Sequence, residues 1–287
     1  MAVLIDATEC GQRAEDHAHG RAPTRLTAAI AGIGAWTRGA PDWSSLRALL
    51  RGEAGLREDA PARPAAIALP AGERRRAPES VLLAAEIAGQ ACAMARRDAA
   101  RLPCVFASTH GELSVTDYMC ATLASAPHEL SPTRFHNSVH NAPAGYWTIA
   151  AQCTAGSSAV TGYHASFGAG LLEAATLAMA DDAPVLFAAY DIASSGPLAE
   201  MTRTTRAFGA AWVLLPGEGA SLPRFSLALR ANHAPIAATP DRAQELARDN
   251  PLNAHALAFL NALAGDAPAR LTLPAASGLL LDMEVQP

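Results

Sequence analysis

Lysine is absent from this 287-residue chain, so all 22 of its positive charges are arginine, and 27 acids outnumber them to leave a formal net charge of -5. The arginines are scattered except at Arg74, Arg75 and Arg76. Nucleic-acid backbones are bound by clustered cations, so nucleic acid is excluded as the main ligand. The triplet itself keeps two readings, a solvated turn or a docking point for an acidic carrier protein. Cysteine is scarce: Cys10, Cys92, Cys104, Cys120 and Cys153 are odd in number and lack the paired spacing of a zinc site or redox motif, which favours reduced thiols in a cytoplasm. No apolar run is long enough to span a bilayer, and Met1 to Thr24 carries acids and histidines where a signal peptide has its apolar core. The expectation is a cytoplasmic protein without membrane insertion. Zinc, EF-hand and phosphate-loop spacings are missing as well, so neither a metal nor another cofactor is expected.

Half of the residues are hydrophobic while aromatics make up 5%, and alanine is abundant, a composition that suits helices packed closely on a sheet. Residues 1–24 read as a loose extension. Leu26 to Ala35 reads as a buried strand, Trp43 to Arg51 as a helix stopped by Gly52, and Glu53 to Ala77, rich in proline and arginine, as an exposed connection. Pro78 to Arg97 has its proline at the start, an acid early, arginines late and apolar residues at helical spacing. Strands are expected at Leu102 to Ser108, Ser158 to Thr161, Val185 to Tyr190 and Phe208 to Leu215. Helices are expected after Gly111, over Ser138 to Gln152 and over Ala165 to Ala180. Apolar strands alternating with helices predict an α/β fold with a mixed, mostly parallel five-stranded sheet covered by helices. Residues 221–287 read as a small α+β extension on the same domain: a strand at Phe225 to Arg230, a helix over Arg242 to Leu263 and a closing pair at Arg270 to Leu273 and Leu279 to Val285, with antiparallel edges.

The segment SPTRFHNSVHNAPAGYWTIA, with Ser131 and Pro132 ahead of Asn141, Gly145 and the Thr148–Ile149 pair, resembles the amino-terminal half of β-ketoacyl synthases, thiolase-fold enzymes that extend acyl chains on a carrier protein. AAIAGIGAWT with GEAGL is similar to the family's start, and LLEAATLAMADDAPVLFAAYD to its later helix and strand. The resemblance covers roughly residues 26–220. It implies that Ser138, Asn141, Gly145, Tyr146 and Trp147 lie on the helix that packs across the dimer interface, with packing inside one subunit as the alternative. It also implies that Thr109, His110, Tyr118, Met119, Tyr163 and His164 border the acyl tunnel. Carried forward without a gap, it puts His164 where the synthases have their nucleophilic cysteine. A synthase needs a thiolate there to hold the acyl group as a thioester, which histidine cannot do stably.

No catalytic residue is therefore expected. His233 and His255 match neither of the histidine motifs in the family's carboxy-terminal half, and read as surface or helix-packing residues. The half-length relatives resemble chain-length factors of pigment-type polyene systems. What this implies is a non-catalytic subunit paired with a complete ketosynthase, sharing an acyl tunnel and contacting an acyl carrier protein. The alternative is an independent acyl-thioester enzyme that uses Cys153, with His140 or His164 as base, or His164 itself.

Overall fold

A computed structural model describes residues 25–217, 219, 221–231 and 243–287. The expectations for residues 1–24 and for His233 lie outside the described residues.

The chain alternates as the apolar runs dictate. Strand β1 (Arg25–Thr37) leads into α1 (Trp43–Arg51), which starts at an Asp42–Ser45 capping box and stops where Gly52 turns left-handed. Two helices follow, α2 (Ala71–Arg76) and α3 (Glu79–Ala95), and then β2 (Cys104–Ala107). Next come α4 (Leu113–Ser125), α5 (Pro132–His136), α6 (Ala142–Ala150) with Pro143 in its first turn, and β3 (Ser157–Val160). Helix α7 (Ser166–Ala180), β4 (Val185–Asp191), α8 (Leu198–Thr202), β5 (Phe208–Pro216) and β6 (Arg224–Ala231) continue the chain. It closes with α9 (Gln244–Asp249), α10 (Ala254–Ala264), β7 (Ala269–Ala276) and β8 (Leu279–Gln286).

The eight strands form one sheet in the order β3-β2-β4-β5-β1-β6-β8-β7. Side chains alternate across it with period two. In β4 and β5, Val185, Phe187, Ala189, Phe208, Ala210, Trp212 and Leu214 face one core, while Leu186, Ala188, Tyr190, Ala211 and Val213 face the other. Helices α1, α7 and α10 cover the first side, and α3 and α6 cover the second. Burial on both faces explains why these strands read as unbroken apolar runs. The carboxy-terminal segment shares the first core. Phe259 of α10 stacks on Trp212 at 5.5 Å between ring centroids and meets Phe225 of β6 edge-on at 5.4 Å.

Four expectations need correction. The sheet is mixed, but only β2–β3 and β2–β4 pair in parallel, the other pairings being antiparallel. Strand direction is decided by contacts distant in sequence, which an apolar run does not encode. The sheet also runs on past five strands, because β6 pairs with β1 and carries β8 and β7 with it. The long helix expected through Leu263 is broken around Pro251, where Asn250 accepts from the Asn253 N–H and starts a new helix. Within the connection expected over 53–77, Arg74, Arg75 and Arg76 form the last turn of α2, where cations suit the helix dipole.

Helix α3 lies unusually close to the sheet. Beyond Ala29, β1 has no strand partner on its β6 side among the described residues, and the N–H groups of Ile33 and Ala35 donate instead to Met94 Sδ (3.2 Å) and Gln90 Oε1 (3.0 Å) of α3. Gly32 and Gly34 make this approach possible, since a Cβ on either would overlap the carbonyl of Ala91 or Ile87. Replacing Gly34 with alanine is expected to cost about 3 kcal/mol or more. Replacing Gly156, whose Cβ would meet no atom within 4 Å, should leave the denaturant midpoint near wild type. Urea titrations of the two variants check this, and similar midpoints would contradict it.

Candidate functional site

Strands β2, β3 and β4 run parallel, so the turns at their carboxy-terminal ends gather at one edge of the sheet, where open α/β sheets place their sites. Asp191 closes β4 there and is 4% exposed. Ser108 Oγ (2.8 Å) and the Thr109 N–H (2.9 Å) donate to its Oδ1, and Asn253 Nδ2 (2.8 Å) to its Oδ2. Asn250 Nδ2 donates to the Asp191 carbonyl (3.0 Å) and to that of Arg206 (2.9 Å). One buried carboxylate therefore joins the turn after β2 to the amino-terminal end of α10. Burial raises its pKa to about 6, against the lowering effect of the hydrogen bonds from Ser108 and the Thr109 backbone.

The turn after β2 carries Thr109 and His110, and the turn between β3 and α7 carries Tyr163 and His164. Thr161 Oγ1 donates to the Thr109 carbonyl (3.0 Å), binding the two turns together. Tyr163 is half-exposed and holds a left-handed φ of 53°, a strained conformation for an aromatic residue. Ser166 stabilises it, donating from Oγ to the Tyr163 carbonyl (2.7 Å) and accepting from the Gly162 N–H (3.0 Å). The Tyr163 ring lies 3.9 Å from the His164 ring and 5.9 Å from that of His110. His140 Nε2 donates to the Ser108 carbonyl at 2.9 Å. His110 has its pKa lowered by burial and then by the charges of His140 and His164. Burial, with a smaller contribution from His164, brings His255 down to about 4. The structure thus gathers Thr109, His110, Tyr163 and His164, and adds His140 and His255 around them. His164 is exposed on the strand-to-helix turn, and Phe167 packs in the core below it.

Other residues singled out in the sequence lie elsewhere. Tyr118 on α4 holds the following segment: its ring lies 3.9 Å under the Arg134 guanidinium, its hydroxyl donates to the Glu129 carbonyl (3.4 Å), and the Ser131 N–H donates to it (3.2 Å). Met119 beside it is partly buried. Cys153 follows α6 and precedes β3, whereas His140 precedes α6 and His164 follows β3. The sulfur is therefore at the far end of both elements, and the expected alternative of a Cys153–histidine pair is corrected.

Asn141, which caps α6, is exposed, and Ser138 ahead of the helix and Gly145 and Tyr146 on it are half-buried. Trp147, expected among the interface aromatics, is instead 2% exposed and buried with α3 in the second core. A helix between two surfaces turns only one stripe outward, and Trp147 is on the inner one. The outer stripe, with Leu69, Pro70, Glu73 of α2 and Val139, lines a groove of about 680 Å³, and Ile149 on it is 81% exposed.

Asp191, Asn250 and Asn253 carried no functional reading in the sequence. The available signal was an acid ending an apolar strand and an Asn-Pro-Leu-Asn break in a helix, but nothing linked the two. Among the described residues no group of three or more histidines, cysteines or acids is placed to hold a metal ion, and no helix is long and apolar enough to cross a membrane.

The β-ketoacyl synthase amino-terminal domain family model matches residues 49–275, and the chain belongs to that family. A comparison with curated protein sequences finds no match. Among solved structures, a complex of the ketosynthase ApeO with its chain length factor ApeC from Xenorhabdus doucetiae is similar at a TM-score of 0.69 and 24% identity, over 90% of this chain and 99% of that one. The ishigamide ketosynthase/chain length factor is similar at a TM-score of 0.57 and 16% identity, over 91% of this chain and 99% of that one. A β-ketoacyl synthase from Burkholderia phymatum STM815 reaches a TM-score of 0.57 at 14% identity, over 84% of this chain and 71% of that one. These likenesses establish the thiolase-like ketosynthase fold.

Opposed shifts at one site predict a masked pH dependence. Asp191, raised in the folded state, gives stability that is present at low pH and lost as pH rises through about 6. His255, lowered to about 4, gives stability that is present above its unfolded pKa and lost as pH falls towards 4. Asp191→Asn removes the offset, so its urea midpoint should fall more steeply than wild type between pH 6.5 and about 4. Parallel profiles would contradict the assignment.

Proposed function

We propose that this chain is a non-catalytic, chain-length-factor-like subunit that pairs with a complete β-ketoacyl-ACP synthase in polyene-type polyketide or fatty-acid synthesis. The observation that carries the reading is the strand-to-helix turn. That turn, where the resemblance puts the family's nucleophile, holds an exposed His164 with its ring 3.9 Å from the tilted ring of Tyr163, and Cys153 is at the other end of β3. An imidazole cannot store an acyl chain as a thioester, so condensation would fall to the partner's cysteine. The likeness to two complexes described as a ketosynthase with a chain length factor supports the pairing.

In this reading Thr109, His110, Tyr163 and His164 border the end of a shared acyl tunnel, and Tyr118 and Met119 of α4 contribute further along its wall. The groove face of α6, with Asn141, Gly145, Tyr146 and the protruding Ile149, is the interface together with Ser138 ahead of the helix, since exposed apolar residues around a groove favour a partner. An acyl carrier protein delivers substrate, no cofactor takes part, and the complex works in the cytoplasm. An independent thioester enzyme is the weaker account, because Cys153 lies at the opposite end of β3 from His164.

Co-expression with the complete ketosynthase encoded nearest to this chain should give a one-to-one complex on size exclusion. Ile149→Asp, which buries a charge if the α6 face is the interface, should weaken association at least tenfold without lowering the chain's own melting temperature. A homodimer indifferent to Ile149→Asp would contradict the reading. In the assembled pair, Tyr163→Ala should lengthen the acyl products, read by mass spectrometry, and an unchanged distribution would remove Tyr163 from the tunnel.

A further inference from the structure

Three of the five cysteines come from distant parts of the sequence to one place. Cys92 is in the last turn of α3, Cys104 is the first residue of β2, and Cys153 follows α6. Cys92 and Cys104 are buried in the same core, together with Leu102. Cys153 is only partly buried, and its thiol points inward, donating to the Leu102 carbonyl at 3.4 Å, two residues before Cys104 on the same stretch of chain. Cys153 is close enough for its charge to act on both Cys92 and Cys104. Small apolar filling explains Cys92 and Cys104. It does not explain Cys153, which is partly exposed and turns its sulfur to the carbonyl of Leu102, two residues from Cys104.

We propose that Cys153 and Cys104 form a peroxide-oxidisable dithiol that ties the end of α6 to the sheet. A hydroperoxide, ROOH, transfers one oxygen to the Cys153 sulfur, giving a sulfenic acid and ROH as the O–O bond breaks. The Cys104 sulfur then attacks the Cys153 sulfur, the S–O bond breaks, and water leaves with the Cys104 proton, so two thiols have given up two electrons to the peroxide. Burial pushes the Cys104 and Cys92 thiols up to about 12, which keeps them protonated and leaves the first oxidation to Cys153. The same burial makes the closing step slow and faster at higher pH. The bond would span the whole segment from β2 through α6.

The test uses the full-length chain with Cys10→Ser and Cys120→Ser, treated with hydrogen peroxide and digested with trypsin under non-reducing conditions. Cleavage after Arg76, Arg96, Arg101, Arg134 and Arg203 puts Cys92, Cys104 and Cys153 in separate peptides. The expected product is the 102–134 peptide joined to the 135–203 peptide, two hydrogens lighter than their sum and released by a thiol reductant. Cys153→Ser should abolish it, and Cys104→Ser should leave a sulfenic acid at Cys153 that dimedone traps. A link from Cys153 to the Cys92 peptide, a sulfinic acid at Cys153 without any link, or an unoxidised Cys153 each overturns the proposal. Circular dichroism of the two serine variants separates a missing link from a misfolded chain.

Discussion

The buried carboxylate of Asp191 is the constraint on which the candidate site depends. Withdrawing an ionised group from water costs several kcal/mol, and the cost is recovered only if donors surround it. Each hydrogen bond to such a group contributes about 1.5–3 kcal/mol. Ser108, Thr109 and Asn253 supply three of them. Each donor belongs to a segment that must be held in place, namely the turn bearing Thr109 and His110 and the start of the helix bearing His255. The raised pKa shows that the donors do not fully offset burial. What the network provides is a fixed relation between elements 62 residues apart in sequence.

The carboxy-terminal segment belongs to the same sheet and core. In the sheet, β6, β8 and β7 extend the edge beyond β1, and α10 closes over Trp212 and Phe187 through Phe259. Gly168 in the first turn of α7 lets the backbone of β7 at Pro274 come against the helix, so the closing hairpin reaches the element that follows His164. The carboxy-terminal segment thus supports the turn bearing His164 from one side, and the Asp191 network supports the neighbouring turn from the other.

The layers were legible in the sequence because burial on both faces writes a strand as an apolar run and Gly52, Pro78 and Pro143 punctuate helices. The placement of His164 on a strand-to-helix turn was legible too, since strand, turn and helix follow one another without a gap. Strand direction was not, because β5 pairs antiparallel with both β4 and β1 through contacts that composition does not mark. The orientation of α6 was also hidden: its nine residues are apolar almost all round, and only packing on α3 shows that Trp147 turns in while Ile149 turns out. Asp191 and Asn253 were invisible as a pair, because a single acid and a single amide carry no mutual signal until the chain folds.

The central claim is that His164 stands where a synthase carries its thiolate, so that this chain shapes an acyl site and does not hold the acyl group. The most direct measurement is acylation of the assembled pair with an acyl-thioester probe, followed by intact-mass analysis of each separated subunit. The account predicts one acyl group on the complete ketosynthase and none on this chain. An acyl group on this chain, at His164, Cys153 or elsewhere, would contradict it.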